Sequence, residues 1–568
     1  MRNVRITIFL LLVLVVVFLS LAGRCFYLQF LRHDYYYSIS TKQQLRREPQ
    51  KPQRGTILDC RGRILAASNK VQTIFAEPRV ITEPESISAK LAPIVEMSSD
   101  EICKTIRESK NPGFAKIKED ADFDQCRAAI AIYGIGIQSD WQRYYPTGTL
   151  AAHIVGFTSA DNKGLGGVEL QYNKELSGSA GQNIFLADAA PNRRPIRLQQ
   201  QNGFLKDGMG VILTIDATIQ QFARSALIKQ YKSYEAESAV AIVAEPKSGA
   251  ILAMVSLPDF DPNNIQMKDP NDLRNRVITD QFEPGSMIKP IIAAIALEEG
   301  VVSPNEKIFC EYGNYHGKGF GHIGEYEGHR FGELTVKEIL VNSSNIGMAK
   351  IGQKLGRDKL HNGLKLFGFG KKTGIDLPGE ADGLVWPVQN WTGYSVTRIP
   401  FGQEISVTAM QMMQAFCTIA NGGHLVHPYV VRAVVDSDGK ITRLNRPQQA
   451  NVGFVVKPEV ARWITTDAMT GVVNEGTGKK AKLEKWQVFG KTGTANIARS
   501  DQKGYDEESY IASFIAGAPA EDPAVMVLVS IRKPNKRLGR GYTGGVIAAP
   551  VAAEIIEKTL TYLEKDKR

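Results

Sequence analysis

The chain has 568 residues, of which 43% are hydrophobic and 23% charged, the balance of packed globular domains. That excludes a largely disordered chain, a collagen and a polytopic membrane protein, and at about 150 residues per domain it predicts roughly three or four units. The formal net charge of +10 suits a nucleic-acid binder, a membrane-proximal protein or a partner of anionic polymers without choosing among them, and six cysteines with no CxxC pair fit neither a disulfide scaffold nor a zinc site.

Ile6–Gly23 reads ITIFLLLVLVVVFLSLAG, a run without a charge. At about 1.5 Å per residue it is just long enough to cross a bilayer core. A cleaved secretory signal is the alternative, but the run exceeds the usual about 7–15 residues and no A-x-A site follows. Arg24 before Cys25 disfavours a lipoprotein site. Residues 1–23 are therefore expected to be a short tail and an uncleaved single-span anchor. Arg2 and Arg5 flank one side and Arg24, Arg32 and Lys42 the other, so charge alone does not orient it.

Arg24 to Arg63 is basic and reads as a solvated stalk near lipid heads. In RGTILDCRGRILAAS (54–68), TILD and RILAAS read as two short strands about a turn at Cys60–Gly62. Ser86–Met97 has helix periodicity, and Asp207–Tyr231 reads as a strand followed by an amphipathic helix. Ser238–Ser256 reads as a hairpin whose nearly continuous apolar strands belong at the centre of a covered sheet. Ser406–Gly423 is helical, with its methionines and Cys417 as core filling. Val525–Pro534 reads as a buried strand, and the chain closes on a helix in APVAAEIIEKTLTYLEK. The second half is thus α+β, a sheet flanked by helices.

Three strings carry chemistry: FEPGSMIKP with Ser286 and Lys289, VNSSNIG with Ser343, Ser344 and Asn345, and FGKTGTA with Lys491, Thr492, Gly493 and Thr494. Ser and Lys three apart on a helix share a face. A serine hydroxyl becomes a strong nucleophile when a base takes its proton, and a neutral lysine can do so. Burial or a nearby cation keeps lysine neutral, and Lys491 could be that cation. The bland reading of the first string is a capped helix with a surface lysine. Ser343–Asn345 offers a hydroxyl relay and an amide, or else an ordinary run of capping residues. Lys491–Thr494 reads as a strand whose small residues let a substrate backbone lie alongside, or else as a plain strand with a glycine bulge.

Together, in this order, the strings resemble the S-x-x-K, S-x-N and K-T-G motifs of penicillin-binding proteins and serine β-lactamases. RNRVITDQFEPGSMIKP, KSGAILAMVSLPDFDPNN, FGFGKKTGIDLPGE and YTGGVIAAPV resemble class B penicillin-binding proteins. RYYPTGTLAAHIVGFT, GLGGVELQYNKELSG and RGTILDCRGRILAAS resemble that family's non-catalytic pedestal, whose usual RGxIxDRNG is altered here at Cys60 and Arg61. Within the class, AHIVGFTSAD, RNRVITDQFEPGS and the C-terminal YTGG resemble the division-specific rather than the elongation-specific transpeptidase. The resemblance implies an anchor at 1–23, an elongated mixed α/β pedestal at 24–206 and a penicillin-binding, serine β-lactamase-like transpeptidase domain at 207–568, with an antiparallel sheet flanked by helices.

It implies further that Ser286 attacks the D-Ala–D-Ala bond of a stem peptide with Lys289 as base. Ser343 and Lys491 would pass a proton to the leaving amine, and Asn345 would orient Lys289 and the substrate amide. Thr492 and Thr494, flanking Gly493, would bind the substrate carboxylate. The N–H groups of Ser286 and Thr494 would form the oxyanion hole. No metal or organic cofactor is called for. The implied partners are stem peptides, β-lactams, the membrane, a polytopic glycosyltransferase and other division proteins, not nucleic acid. The implied location is the cytoplasmic membrane at the septum, with the catalytic domain outside. An oxidising compartment would permit Cys103 and Cys126 to pair.

Other motifs fail. EDADFDQC (119–126) begins like a peptidoglycan glycosyltransferase signature, but Cys126 and Ala128 replace its His and Gly, leaving a solvated acidic segment. GVVNEGTGKKA (471–481) has the wrong glycine spacing for a phosphate loop. His316, His322 and His329 belong to a Gly-rich hairpin rather than a metal site. Two rivals share the motifs: a β-lactamase, with Glu380 or Glu404 as its hydrolytic base, and a non-enzymatic β-lactam sensor or scaffold.

Overall fold

The computed structural model of the chain describes residues 2–186, 196–197, 205–265, 269–445, 453–499 and 504–566. They form two compact units, one of residues 1–53 and 178–208 and the other of 54–177 and 209–568.

The first unit opens with helix α1 (Arg2–Phe26), which contains the apolar run and buries none of its residues. With the π-turn that follows, Arg2–Leu31 is one helix long and apolar enough to cross a membrane. Leu45–Gln50 pairs antiparallel with Gly181–Leu186, a pairing of the basic stalk that periodicity did not reveal.

The second unit begins with β1 (Ile57–Leu58), β2 (Ile64–Ala76), β3 (Ala115–Lys118) and β4 (Ile135–Tyr144). The two short strands expected around Cys60 are there, but β2 runs on to Ala76 because β4 pairs with it along ten residues. Next come β5 (Gly210–Leu213), α2 (Ala217–Ser233), β6 (Ser238–Ala244) and β7 (Ile251–Leu257). After these lie α3 (Lys289–Glu298), α4 (Asn345–Leu366), α5 (Ala409–Ala420), β8 (Val431–Val435) and β9 (Ile441–Leu444). The chain closes with β10 (Phe489–Ala498), β11 (Tyr505–Ala518), β12 (Val525–Arg532) and α6 (Gly544–Asp566). Helix α6 starts earlier than its apolar run predicts, so that the YTGG glycines sit at its N-terminus.

One sheet has the order β9-β8-β5-β1-β2-β3, with β4 also on β2, and β1 runs parallel to β5. Its pedestal strands continue into strands of the second half. Arg143 of β4 belongs to a buried ionic knot. Glu169, fully buried, takes Arg54 Nε and Arg143 Nε at 2.6 Å each. Arg54 also donates to Asn162 O, Asn173 Oδ1 and Ser177 Oγ, each at 2.9 Å. All three charged residues come from the pedestal strings singled out in sequence. The altered Cys60–Arg61 step is absorbed: Cys60 N–H donates to Ile215 O, and Arg61 forks onto Asp566 at 2.7 and 2.6 Å. Cys103 and Cys126 are free thiols, and Cys126 is buried, so the pairing the compartment would permit is not formed. Burial follows from the local fold: EDADFDQC is not merely solvated acid, because Asp122 caps a short helix, Phe123–Ala129, that turns Cys126 inward.

The second sheet, β7-β6-β12-β11-β10, is antiparallel throughout. Strand side chains alternate between faces. Ala239, Ala241 and Val243 of β6, with Val525, Val527 and Val529 of β12, pack against α2 and α6. Val240, Ile242 and Leu528 face the core built on α3, α4 and α5. Both faces are covered, which is why these strands read as unbroken apolar runs. The order leaves β10, the strand of Lys491–Thr494, as an edge.

Candidate active site

Pro284 leads into a single 3-10 turn, Gly285–Ile288, and α3 follows. Gly285 has φ +53°, and Gly402 crosses it so closely that a Cβ there would meet Gly285 O at 2.2 Å. Gly285 N–H donates to Gly402 O at 3.2 Å and Met287 N–H to Pro284 O at 3.3 Å. Ser286 lies between them, in the first turn of a helix, where N–H groups have no intrahelical acceptor. A Cβ on Gly493 would meet Met287 Cγ at 2.7 Å, so that glycine lets β10 lie against the Ser286 turn.

Lys289 and Lys491 are fully buried. Lys289 Nζ lies 2.6 Å from Ser343 O, 2.8 Å from Asn345 Oδ1 and 3.2 Å from Ser343 Oγ. Lys491 Nζ lies 2.9 Å from the same Ser343 Oγ. One hydroxyl thus joins two amines. Burial lowers the Lys289 ammonium to about 7, opposed by the carboxylate of Glu325. Burial, and then the neighbouring Lys289, push Lys491 well below the ordinary lysine range. Two ammonium groups in one dry pocket disfavour double protonation. The sequence left burial and a nearby cation, Lys491, as alternative causes for Lys289; in the structure desolvation lowers Lys289, and the repulsion acts on Lys491. A neutral Lys289 has two N–H donors, which Ser343 O and Asn345 Oδ1 accept, and its lone pair is then available to a hydroxyl proton.

Ser343 is a non-glycine residue at φ +57°, a conformation that persists only where the surroundings hold it. Ser344 is the N-cap of α4, accepting from Gly347 N–H at 3.0 Å. Within this string the capping reading thus applies to Ser344, while Ser343 and Asn345 contact Lys289.

Ser286, Ser343, Asn345, Thr492 and Thr494 line one cavity of 670 Å³. The two lysines lie behind its wall. Thr477 lines it too, its Oγ1 2.7 Å from Thr492 Oγ1. Sequence reasoning met Thr477 only inside a discarded phosphate-loop string. Thr494 Oγ1 accepts the Gly544 N–H at 3.2 Å, which brings the N-terminus of α6, and its favourable dipole for an anion, to the two threonines. Glu325, Tyr326, Glu327 and His329 form another wall. They follow the hairpin of Asn314–Gly317 and Gly321–Gly324, where His316 and His322 stack at 4.5 Å. Glu283 also lines the cavity; burial holds its carboxyl above the usual range, while Tyr505 Oη donates to it at 2.8 Å.

The rival hydrolytic bases lie elsewhere. Glu380 is buried and accepts Thr373 and Gly374 N–H groups at 2.8 and 3.1 Å. Glu404 accepts Ser395 Oγ at 2.6 Å. Neither lines the cavity.

Comparison with known proteins agrees with this geometry. Residues 239–557 match the penicillin binding protein transpeptidase domain, and residues 49–203 the penicillin-binding protein dimerisation domain. Stage V sporulation protein D of Bacillus subtilis is 34% identical over 98% of this chain and 85% of its own length. Peptidoglycan D,D-transpeptidase FtsI of Escherichia coli is 29% identical over 94% of this chain and 88% of its own. Among solved structures, penicillin binding protein 3 of Mycobacterium tuberculosis in complex with aztreonam aligns with a TM-score of 0.70 at 25% identity, covering 91% of this chain and 97% of that one. Motif order, the shared hydroxyl between two buried lysines and the matched domain pair place the chain in one family: it belongs to the class B penicillin-binding proteins.

Proposed function

We propose that the chain is a peptidoglycan D,D-transpeptidase that cross-links stem peptides through an acyl-enzyme on Ser286. The observation that carries the reading is the Lys289–Ser343–Lys491 relay, whose Ser343 lines the same cavity as Ser286. Ser286 Oγ attacks the carbonyl between the two D-Ala residues and passes its proton to neutral Lys289. The Ser286 and Thr494 N–H groups receive the oxyanion. The C–N bond breaks, and the proton reaches the leaving D-Ala amine through Ser343 and Lys491. An acceptor amine then attacks the ester, forms the new amide and returns the proton to Ser286. Asn345 holds Lys289 and the substrate amide, and Thr492 and Thr494, with the α6 N-terminus, hold the substrate carboxylate. β-Lactams take the same place as the dipeptide.

In this reading α1 is a single-span anchor with its N-terminus in the cytoplasm, because the substrate is extracytoplasmic. The pedestal (24–206) and the catalytic domain (207–568) are then extracytoplasmic, and a polytopic glycosyltransferase and other division proteins are the partners at the septum. The 34% identity to a sporulation protein supports a second placement, the same chemistry in the wall made during sporulation. A fluorescent fusion followed through division and sporulation separates the two.

The chemical test uses a fluorescent penicillin. The adduct should form on the wild type, be absent from S286A, and persist for minutes, far slower than typical turnover of about 10 s⁻¹. Adduct cleared within seconds with steady drug hydrolysis would make the protein a β-lactamase, and no adduct at all would leave a scaffold.

A further inference from the structure

The hairpin ending at Gly324 delivers Glu325 to the Ser343–Asn345 turn. Its Oε1 accepts Ser344 Oγ at 2.5 Å and the Ile346 N–H at 3.3 Å, and its Oε2 accepts the Asn345 N–H at 2.7 Å. Asn345 Nδ2 returns a bond to Gly324 O at 3.2 Å. The carboxylate therefore sits on the first turn of α4, a 22-residue helix, where N–H groups lack intrahelical acceptors and the dipole favours an anion. The residue it fixes, Asn345, is one whose Oδ1 touches Lys289 Nζ, and the turn it closes holds Ser343 in its left-handed conformation.

The charges around Lys289 are few. From β10 comes Lys491, and from the hairpin loop Glu325; Ser343 and Asn345 are neutral. Behind the turn, Cys310 Sγ lies 3.6 Å from Ser344 Oγ, and Lys350 is paired with Glu311 at 2.5 Å. Glu325 is the carboxylate that acts on Lys289 among the described residues, and it opposes the effect of burial.

We propose that Glu325 is a positioning residue for acylation, which pins the Ser343–Asn345 turn to α4 and acts through its negative charge on the base Lys289. The inference rests on the transpeptidase reading above. It goes beyond the three motifs, because Glu325 belongs to none of them and touches neither Ser286 nor a lysine nitrogen by hydrogen bond.

The test measures the acylation rate with a chromogenic penicillin from about pH 5 to about pH 9 in the wild type, E325Q and E325D. In the wild type the rate rises through about 7 as Lys289 loses its proton. E325Q removes the charge that favours the protonated lysine, so its acid limb moves to lower pH. Its plateau falls about 10- to 100-fold, because an amide N–H now faces a backbone N–H and the turn slips. E325D keeps the charge on a shorter arm, so its plateau falls while its limb stays. An E325Q limb that coincides with the wild type would overturn the electrostatic part, and a wild-type plateau in E325D would overturn the positioning part. If E325Q does not unfold cooperatively, E325D alone decides on its plateau. A wild type that is never acylated would instead defeat the transpeptidase reading and leave Glu325 a structural cap.

Discussion

Two buried charge clusters of the chain work in opposite ways. In the pedestal, Glu169 sits between Arg54 and Arg143, each guanidinium 2.6 Å from its own carboxylate oxygen. In the catalytic half, Lys289 and Lys491 are equally buried, yet among the described residues neither makes an ion pair, and they share a serine hydroxyl. Opposite charges in a dry interior hold each other in place, and losing one strands the other. Amines buried in a dry interior without an ion-pair partner give up protons, and that makes an amine a base at neutral pH. The same physical penalty thus builds a fastener in one half and a reactive group in the other.

The largest expected effect comes from the lysine pair. K289M should lower acylation about 10²- to 10⁴-fold, the usual loss of a general base. It should also stabilise the protein at neutral pH. In the folded state Lys289 titrates at about 7, whereas an unfolded lysine titrates near about 10.4. Between those values the unfolded chain binds more protons, so the wild type gains stability as pH rises through that window. Its penalty is complete below about 7. Methionine carries none, so Tm of K289M should exceed wild type at pH 7 and approach it as the pH nears 10. A mutant less stable than wild type at pH 7 would mean that the ammonium is not the strained group described here.

E169Q tests the other half of the contrast. It leaves two guanidinium groups buried against one neutral amide and should lower stability by about 3–5 kcal/mol. Acylation per folded molecule should stay at the wild-type rate, since Glu169 lies in the pedestal. Urea unfolding beside single-turnover labelling reads both. A stable E169Q would show that the knot is dispensable.

These two clusters also mark what the sequence discloses. Ser286, Lys289, Ser343, Asn345 and Lys491–Thr494 are legible because each motif is local and its order along the chain is informative. Hairpin Ser238–Ser256 and helix Ser406–Gly423 are legible because their periodicity or continuous burial shows in composition. Glu325 is not, since one glutamate in a Gly-rich loop has no period, and its meaning comes from a turn 20 residues later. Thr477 and Gly402 are hidden for the same reason: their roles are set by approach of distant backbone. Which cause keeps the lysines from charging could not be read either, because burial, not neighbouring sequence, sets it.

A smaller effect is expected where the catalytic strand meets α6. A Cβ on Gly544 would lie 2.1 Å from Ser513 O and 2.5 Å from Gly493 O, both backbone atoms that cannot swing away. G544A should therefore push α6 back, lengthen the Gly544–Thr494 hydrogen bond and cost about 1–3 kcal/mol. Because that bond steadies the proposed carboxylate subsite, penicillin should also acylate the mutant more slowly at low drug concentration, while the acid limb set by Lys289 stays in place. A shift of the limb would mean that Gly544 feeds the lysines and not the threonines.

The smallest effect belongs to a second arginine cluster, which shares the chemistry of the Glu169 knot but not its burial. Arg61 forks onto Asp566 at 2.7 and 2.6 Å, donates through Nε to Asp216 at 2.8 Å and lies over the Tyr562 ring at 5.0 Å. By contact geometry it matches Arg54. Its side chain, however, is 32% exposed and that of Asp566 47%, against 2% and 0% for Arg54 and Glu169. Water and salt screen such a pair, and fixing two long side chains offsets much of the attraction. Asp216 would not be stranded, because Arg63 also reaches it at 2.6 Å. R61A should thus lower Tm by less than about 2 °C, with the difference from wild type vanishing as salt is raised. A drop comparable to that of E169Q, or one insensitive to salt, would show that contact geometry outweighs burial and would remove the basis on which the two halves of the molecule were contrasted.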